Sequence, residues 1–144
     1  MTSTTTLSKL SSLIEPQSIV TFTTVSTDGN LHSRPMVVQN VDANGTFRFF
    51  MSRKSPPVIE LTHNPHVSVA LNPGPDSPHI AVSGRATEDL DRSCISKWWQ
   101  DEYLQWFPLG INDPELVLIQ VTPLAGECWN HNNKDHFYLA AGRG

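Results

Sequence analysis

The sequence predicts a mainly β protein, a β-barrel or closely curved antiparallel sheet with a few flanking helices, in a single domain over residues 1–144. Three observations lead there. Six or seven short runs rich in β-branched and aromatic residues recur along the chain. Two early connections, Asp28-Gly29 and Asn44-Gly45, carry the glycine that a tight hairpin turn needs. Two intervals between later runs show helical spacing and helix-start signals instead. A chain of 144 residues holds one domain with a proper core and is short for two.

Residues 1–16 open on a Thr/Ser cluster, after which Leu7, Leu10, Leu13 and Ile14 recur at helical spacing. A short N-terminal amphipathic helix ended by Pro16 is predicted. Gln17 to Ser26 contains Ile-Val-Thr-Phe-Thr-Thr-Val, which favours a pleated strand. The turn Thr27-Asp28-Gly29-Asn30 leads to a strand over Leu31–Val41 that holds Arg34. Pro35 removes a ladder hydrogen bond, so this part of the strand belongs at an edge, a bulge or a rim. After Asp42–Gly45 comes a third strand, Thr46–Ser52. Ser55-Pro56-Pro57 begins a helix, with Ser at the N-cap, and Asn64-Pro65 stops it. His66–Asn72 and His79–Glu88 alternate as strands on either side of a proline-rich loop at 73–78. Asp89–Tyr103 reads as the second substantial helix, followed by an aromatic loop from Gln105 to Pro114. Glu115–Thr122 is almost wholly apolar, which predicts burial on both faces. Pro123 is expected to break it, leaving Ala125–Asn130 as the last strand and 131–144 as a tail without period, disordered or covering a partner subunit.

The totals exclude several classes. Net charge is −4, with no run of lysine or arginine, which argues against a nucleic-acid or anionic-membrane binder. No apolar window approaches a membrane span and the first fifteen residues lack a signal core, so a cytoplasmic location is expected. Cys94 and Cys128 lie far apart without CxxC spacing and read as two buried or half-buried thiols. The close pair His63 and His66 flanks a helix-to-strand corner, a poor metal site, and no metal is expected. GxSxG, GxGxxG, Walker-type and HExxH patterns are absent.

The chemistry concentrates between His32 and Ser55. An arginine in a half-buried strand needs a partner, and no carboxylate is adjacent to Arg34 in sequence. A bound anion and an ion pair with a distant Asp or Glu both answer that need. For an anion, Arg34 supplies a bidentate fork, Ser52 and Ser55 hydroxyl donors, and Arg53 or Lys54 positive charge. The helix start at Ser55 adds backbone N–H groups. Phe49-Phe50-Met51 suits the cover of a flat ring, and suits a piece of barrel core equally.

Several segments together resemble the pyridoxamine 5′-phosphate oxidase-like FMN-binding split-barrel superfamily. They are Thr24-(x)3-Asp28-Gly29, His32-Ser33-Arg34-Pro35-Met36, Phe49-Phe50, Ser55-Pro56-(x)-Val58, Asn64-Pro65-His66-Val67 and Val82-Ser83-Gly84-Arg85-Ala86. Trp106-Phe107-Pro108-(x)-Gly110-(x)2-Asp113-Pro114 and Trp129 resemble its general stress protein branch. The resemblance runs in order from Gln17 to Trp129. It implies a six-stranded antiparallel split β-barrel, a homodimer and two FMN sites at the interface. By position, Arg34 would contact the FMN phosphate or ribityl chain, with Pro35 and Met36 against the flavin. Phe50, Met51 and Ser52 would line the site, Ser55 would hold the phosphate with Arg53 and Lys54 nearby, and Trp106 and Phe107 would reach the flavin region.

Two positions depart from the family pattern. Met51 stands where a Thr is usual, and Pro57 where a Lys is usual. Each lost charge-assisted bond is worth roughly 1.5–3 kcal/mol. Arg53 and Lys54 are close enough in sequence to compensate. The implied function is a flavoprotein oxidoreductase passing electrons between a reduced nicotinamide and a small acceptor. The alternatives are a non-enzymatic binder of flavin or another planar anion, and a ligand-free dimeric barrel with a vestigial site. No acid–base pair stands out, so no catalytic residue is assigned. The absence of an Arg-x-His pair near the C-terminus argues against pyridoxamine-phosphate oxidase activity itself.

Overall fold

The computed structural model describes residues 10–72, 74–76 and 78–129, and the backbone of 134–138. The first hairpin is β1 (Ile19–Val25) and β2 (Leu31–Val37), followed by β3 (Asn40–Val41) and β4 (Phe47–Ser52). Helix α1 (Pro56–His63) leads to β5 (His66–Leu71) and β6 (His79–Asp89). Helix α2 (Arg92–Trp98) and two short 3-10 turns, Asp101–Gln105 and Gly110–Asn112, precede β7 (Leu116–Trp129) and β8 (Lys134–Tyr138). All pairings are antiparallel, in the order β2-β1-β5-β6-β7-β4-β3, with β8 added on β7.

That order forces the sheet to curl. Its two edges, β2 and β3, are joined only by Val38 and Gln39, a connection spanning at most about 3.6 Å per residue. The Val38 N–H donates to Ser18 O beside β1, and the Gln39 N–H donates to Arg48 O on β4. The seam of the barrel is therefore stitched by backbone bonds in both directions.

Alternation along the strands fills the interior. Val20 and Phe22 of β1, Phe47, Phe49 and Met51 of β4, and Val117, Ile119 and Val121 of β7 belong to one buried core. The Phe22 and Phe49 rings meet at 5.1 Å. The other face of β4 and β7 supports a second cluster of Phe50, Leu116 and Leu118 with Ile95 and Tyr103. The apolar stretch of β7 is thus buried on both faces, as its composition predicts.

The split barrel expected from the sequence is present, with corrections to its elements. Among the described residues eight strands form the sheet where six were expected; the additions are the two-residue β3 and β8 near the C-terminus. Leu31–Val41 is not continuous but breaks at Val38 and Gln39, where the chain crosses the seam. Pro123 does not end a strand. It faces Gly84 at a bulge where Leu124 is skipped in the ladder, a place where a missing N–H costs nothing. A Cβ on Gly84 would lie 2.6 Å from Thr122 O, so the bulge needs glycine. The helix expected over Asp89–Tyr103 ends at Trp98, because Trp99 and Gln100 are extended. Successive helical side chains diverge by about 100°, whereas here Trp98 covers Arg48 and Trp99 packs edge-on against Phe50. Of the predicted N-terminal helix, residues 10–13 are helical and residues 1–9 lie outside the described part. Cys94 is a half-buried thiol and Cys128 a buried one.

Candidate functional site

On the outer side of the seam lies a cavity of about 260 Å³. Pro35, Met36, Val37 and Gln39 line it where the chain leaves β2; Phe50 of β4 and the aromatic segment Tyr103, Trp106 and Phe107 complete it. Ring contacts hold this wall together. Tyr103 lies 5.7 Å from Phe50, 5.6 Å from Trp99 and 6.2 Å from Trp106. Of the sequence-predicted residues, Pro35, Met36, Phe50, Trp106 and Phe107 are brought together here from three separate parts of the chain.

The lining side chains are apolar but for Gln39, Tyr103 and the indole N–H of Trp106. Gln39 is buried and its Nε2 donates to Trp98 O at 2.9 Å, which fixes the amide orientation and leaves Oε1 as a pure acceptor. Among the described residues neither Gln39 Oε1 nor the buried Tyr103 hydroxyl has a hydrogen-bond partner. Burial, with a smaller contribution from Glu102, pushes the Tyr103 phenol up to about 12, so it remains a donor at neutral pH. Sequence reasoning missed both residues. A glutamine at a strand end and a tyrosine in a presumed helix carry no local signal; only the closing of the seam brings them together.

Arg34 turns out to be spoken for. Its Nη2 lies 3.2 Å from Oε1 of the buried Glu60, and its Nη1 donates to Thr24 Oγ1 at 2.8 Å. The Thr24 hydroxyl donates to Glu60 Oε1 at 2.6 Å, and His32 Nδ1 sits 2.6 Å from Oε2. The Thr24 hydroxyl above all, then His32 and Arg34, hold the Glu60 carboxyl below its ordinary range against the opposing effect of burial. Of the two partners the sequence left open for Arg34, the structure shows the carboxylate, supplied from α1.

The remaining predicted residues are dispersed. Met51 points into the barrel core and Pro57 is buried, so neither departure from the family pattern lies on the pocket wall. Ser55 Oγ donates to Ser52 O at 2.6 Å. Ser52 Oγ accepts from the Lys54 N–H at 3.3 Å. Arg53 is exposed, and the Lys54 ammonium lies 3.7 Å from Glu115. At the start of α1, Pro56 and Pro57 have no N–H and the Ile59 N–H is used by Ser55 O, so an anion is offered at most the Val58 N–H. The apolar wall fits a planar ring. The cation and N–H set does not fit the phosphate of FMN.

Curled sheet, stitched seam and outer pocket define a split β-barrel. A family model described as pyridoxamine 5′-phosphate oxidase like matches residues 5–141, and the chain belongs to that family. General stress protein 26 from Bacillus anthracis is 25% identical, covering 93% of this chain and 98% of that one, with a TM-score of 0.77. A protein from Clostridium acetobutylicum related to general stress protein 26 is 20% identical over 96% of this chain and 97% of its own, with a TM-score of 0.79. PhzG from Burkholderia lata, solved with tetrahydrophenazine-1-carboxylic acid, is 18% identical over 94% and 87%, with a TM-score of 0.64. No curated protein sequence matches.

Proposed function

We propose that this protein binds the planar ring of a flavin in the seam pocket. The observation that carries the reading is the aromatic wall of Phe50, Tyr103, Trp106 and Phe107, with Pro35 and Met36, around a cavity of about 260 Å³. Gln39 Oε1 and the Tyr103 hydroxyl lie sealed behind this wall without partners, at a cost of about 1–3 kcal/mol each, so a small shift of either side chain toward the cavity would let a ligand edge satisfy it. The pyrimidine edge of a flavin has an N–H between two carbonyls. Gln39 would accept from that N–H and Tyr103 would donate to a carbonyl, while Phe50, Trp106 and Phe107 cover the ring. Pockets that take a whole drug-sized ligand measure roughly 300–1,000 Å³. A cavity of about 260 Å³ suits the ring with the side chain left outside.

A bound flavin supplies electron transfer, and passage from a reduced nicotinamide to a small acceptor would be its chemistry. The wall residues contribute placement and exclusion of water. Tyr103 stays protonated, and no other titratable side chain lines the pocket among the described residues, so the geometry supports binding more directly than acid–base catalysis. Homodimerisation and a cytoplasmic location are part of the same proposal. No helix among the described residues is long and apolar enough to cross a membrane.

Quenching of riboflavin fluorescence on titration with the protein tests the ring-binding reading. Gln39→Leu and Tyr103→Phe should each weaken binding about tenfold, the equivalent of one lost buried hydrogen bond. No quenching at any protein concentration reached would overturn the reading.

A further inference from the structure

The connection from β6 to β7, residues 90–115, leaves apolar surface open to solvent. Eight large apolar side chains are exposed among the described residues, and five of them, Leu90, Leu104, Trp106, Leu109 and Ile111, fall in this one stretch. The structure gathers them. Leu104 packs on Gly110, where an added Cβ would lie 3.2 Å from its Cδ2, so it stands beside Leu109 and Ile111. Arg92 Nη1 donates to Ile111 O at 3.4 Å, which brings the start of α2 and neighbouring Leu90 to the same place. Ile95 and Tyr103, buried in the second cluster, anchor the stretch from beneath. The rim is acidic. Residues 90–115 hold five carboxylates and two cations, a net −3 out of −4 for the whole chain. Asp91, Asp101 and Glu102 are exposed. The two cations are Arg92, turned to Ile111 O, and Lys97, which lies over the Trp98 ring at 5.4 Å.

We infer that this face docks a basic amphipathic segment of another protein, with apolar side chains for the patch and lysine or arginine on its flanks. A gathered set of exposed apolar side chains with a polar rim marks a site of contact, and charge selects among the occupants. A second copy would bring an equally acidic rim against this one, and an anionic lipid surface would add its own negative charge. A basic segment meets the opposite charge while it buries leucine and tryptophan surface. No flavin is needed for this contact, although Trp106 belongs both to the pocket wall and to this face.

The test is a fluorescence-anisotropy titration of the full chain with a labelled synthetic helix carrying leucines on one face and lysines on the other. The control is the same peptide with glutamates for lysines. The basic peptide should bind at least about tenfold more tightly, and less tightly as salt rises. Leu109→Ser combined with Ile111→Ser should weaken it about tenfold, the effect of taking two aliphatic side chains out of a buried contact. Ile59→Ser, a change at an exposed apolar residue on α1, should leave it as it was. Equal affinity for the two peptides, or no binding of either, overturns the inference. So does undiminished affinity in the doubly substituted protein when it keeps the wild-type melting temperature. Light scattering that gives two chains for the wild type and one for that variant would put a second copy on this face and overturn it as well. The comparison of the two peptides uses wild-type protein alone and does not depend on a variant folding.

Discussion

Arg34 and Glu60 stand 26 residues apart, yet they meet as an ion pair in a largely buried place, with Thr24 and His32 also holding the carboxylate. The pair makes a measurable difference to acid stability. Glu60 has a folded pKa below the ordinary value near 4.5, so its contribution is complete above that value and is lost as pH falls through the folded one. Urea unfolding at a series of acid pH values should show wild-type stability declining across this window and a flatter profile for Glu60→Gln. Glu60→Ala should cost about 3 kcal/mol at neutral pH, because it strands the Arg34 guanidinium. A cost near zero would mean that the ion pair is not formed in solution. The sequence placed Arg34 among residues needing a partner and left two kinds of partner open. It held no means of choosing, because Glu60 reaches Arg34 only after α1 has packed over the β1–β2 hairpin.

Elements with short-range signals were legible, and those whose form depends on distant contacts were not. The two glycine turns, the start of α1 and the two-faced burial of β7 follow from local chemistry alone. The break after β2 does not, since Val38 and Gln39 look like any other strand residues until their N–H groups are claimed by Ser18 and Arg48 on opposite sides. Pro123 misled for a related reason: it ends a strand only where its missing N–H faces a ladder partner, and the bulge opposite Gly84 removes that demand. Gly84 is the checkable part of this arrangement. Its replacement by Ala would push a Cβ to 2.6 Å from Thr122 O and 2.7 Å from Val121, costing about 1–3 kcal/mol in thermal or chemical unfolding. A neutral Gly84→Ala would show that the bulge relaxes freely. The pocket divides in the same way. Pro35, Met36, Phe50, Trp106 and Phe107 were found through the resemblance, while Gln39 and Tyr103 needed the seam to be seen closed.

Ile19 and Leu31, on the outer face of the β1–β2 hairpin, are 67% and 72% exposed. With the proposed homodimer formed on this face, light scattering should return the mass of two chains, and Leu31→Glu should shift it to one. A wild-type mass of one chain would remove the dimer. The sheet order has a further consequence, for synthesis. Apart from the short seam at Val38 and Gln39, the β2-β1-β5-β6 group meets the β4-β3 group, among the described residues, through β7, which comes after both in the chain. At about 5–20 residues per second, a ribosome makes both half-sheets well before their common neighbour appears. Until then β4 and β6 each present an unpaired edge, the feature most prone to joining another chain. A nascent polypeptide stalled before Leu116 is therefore the form of this protein most in need of a chaperone.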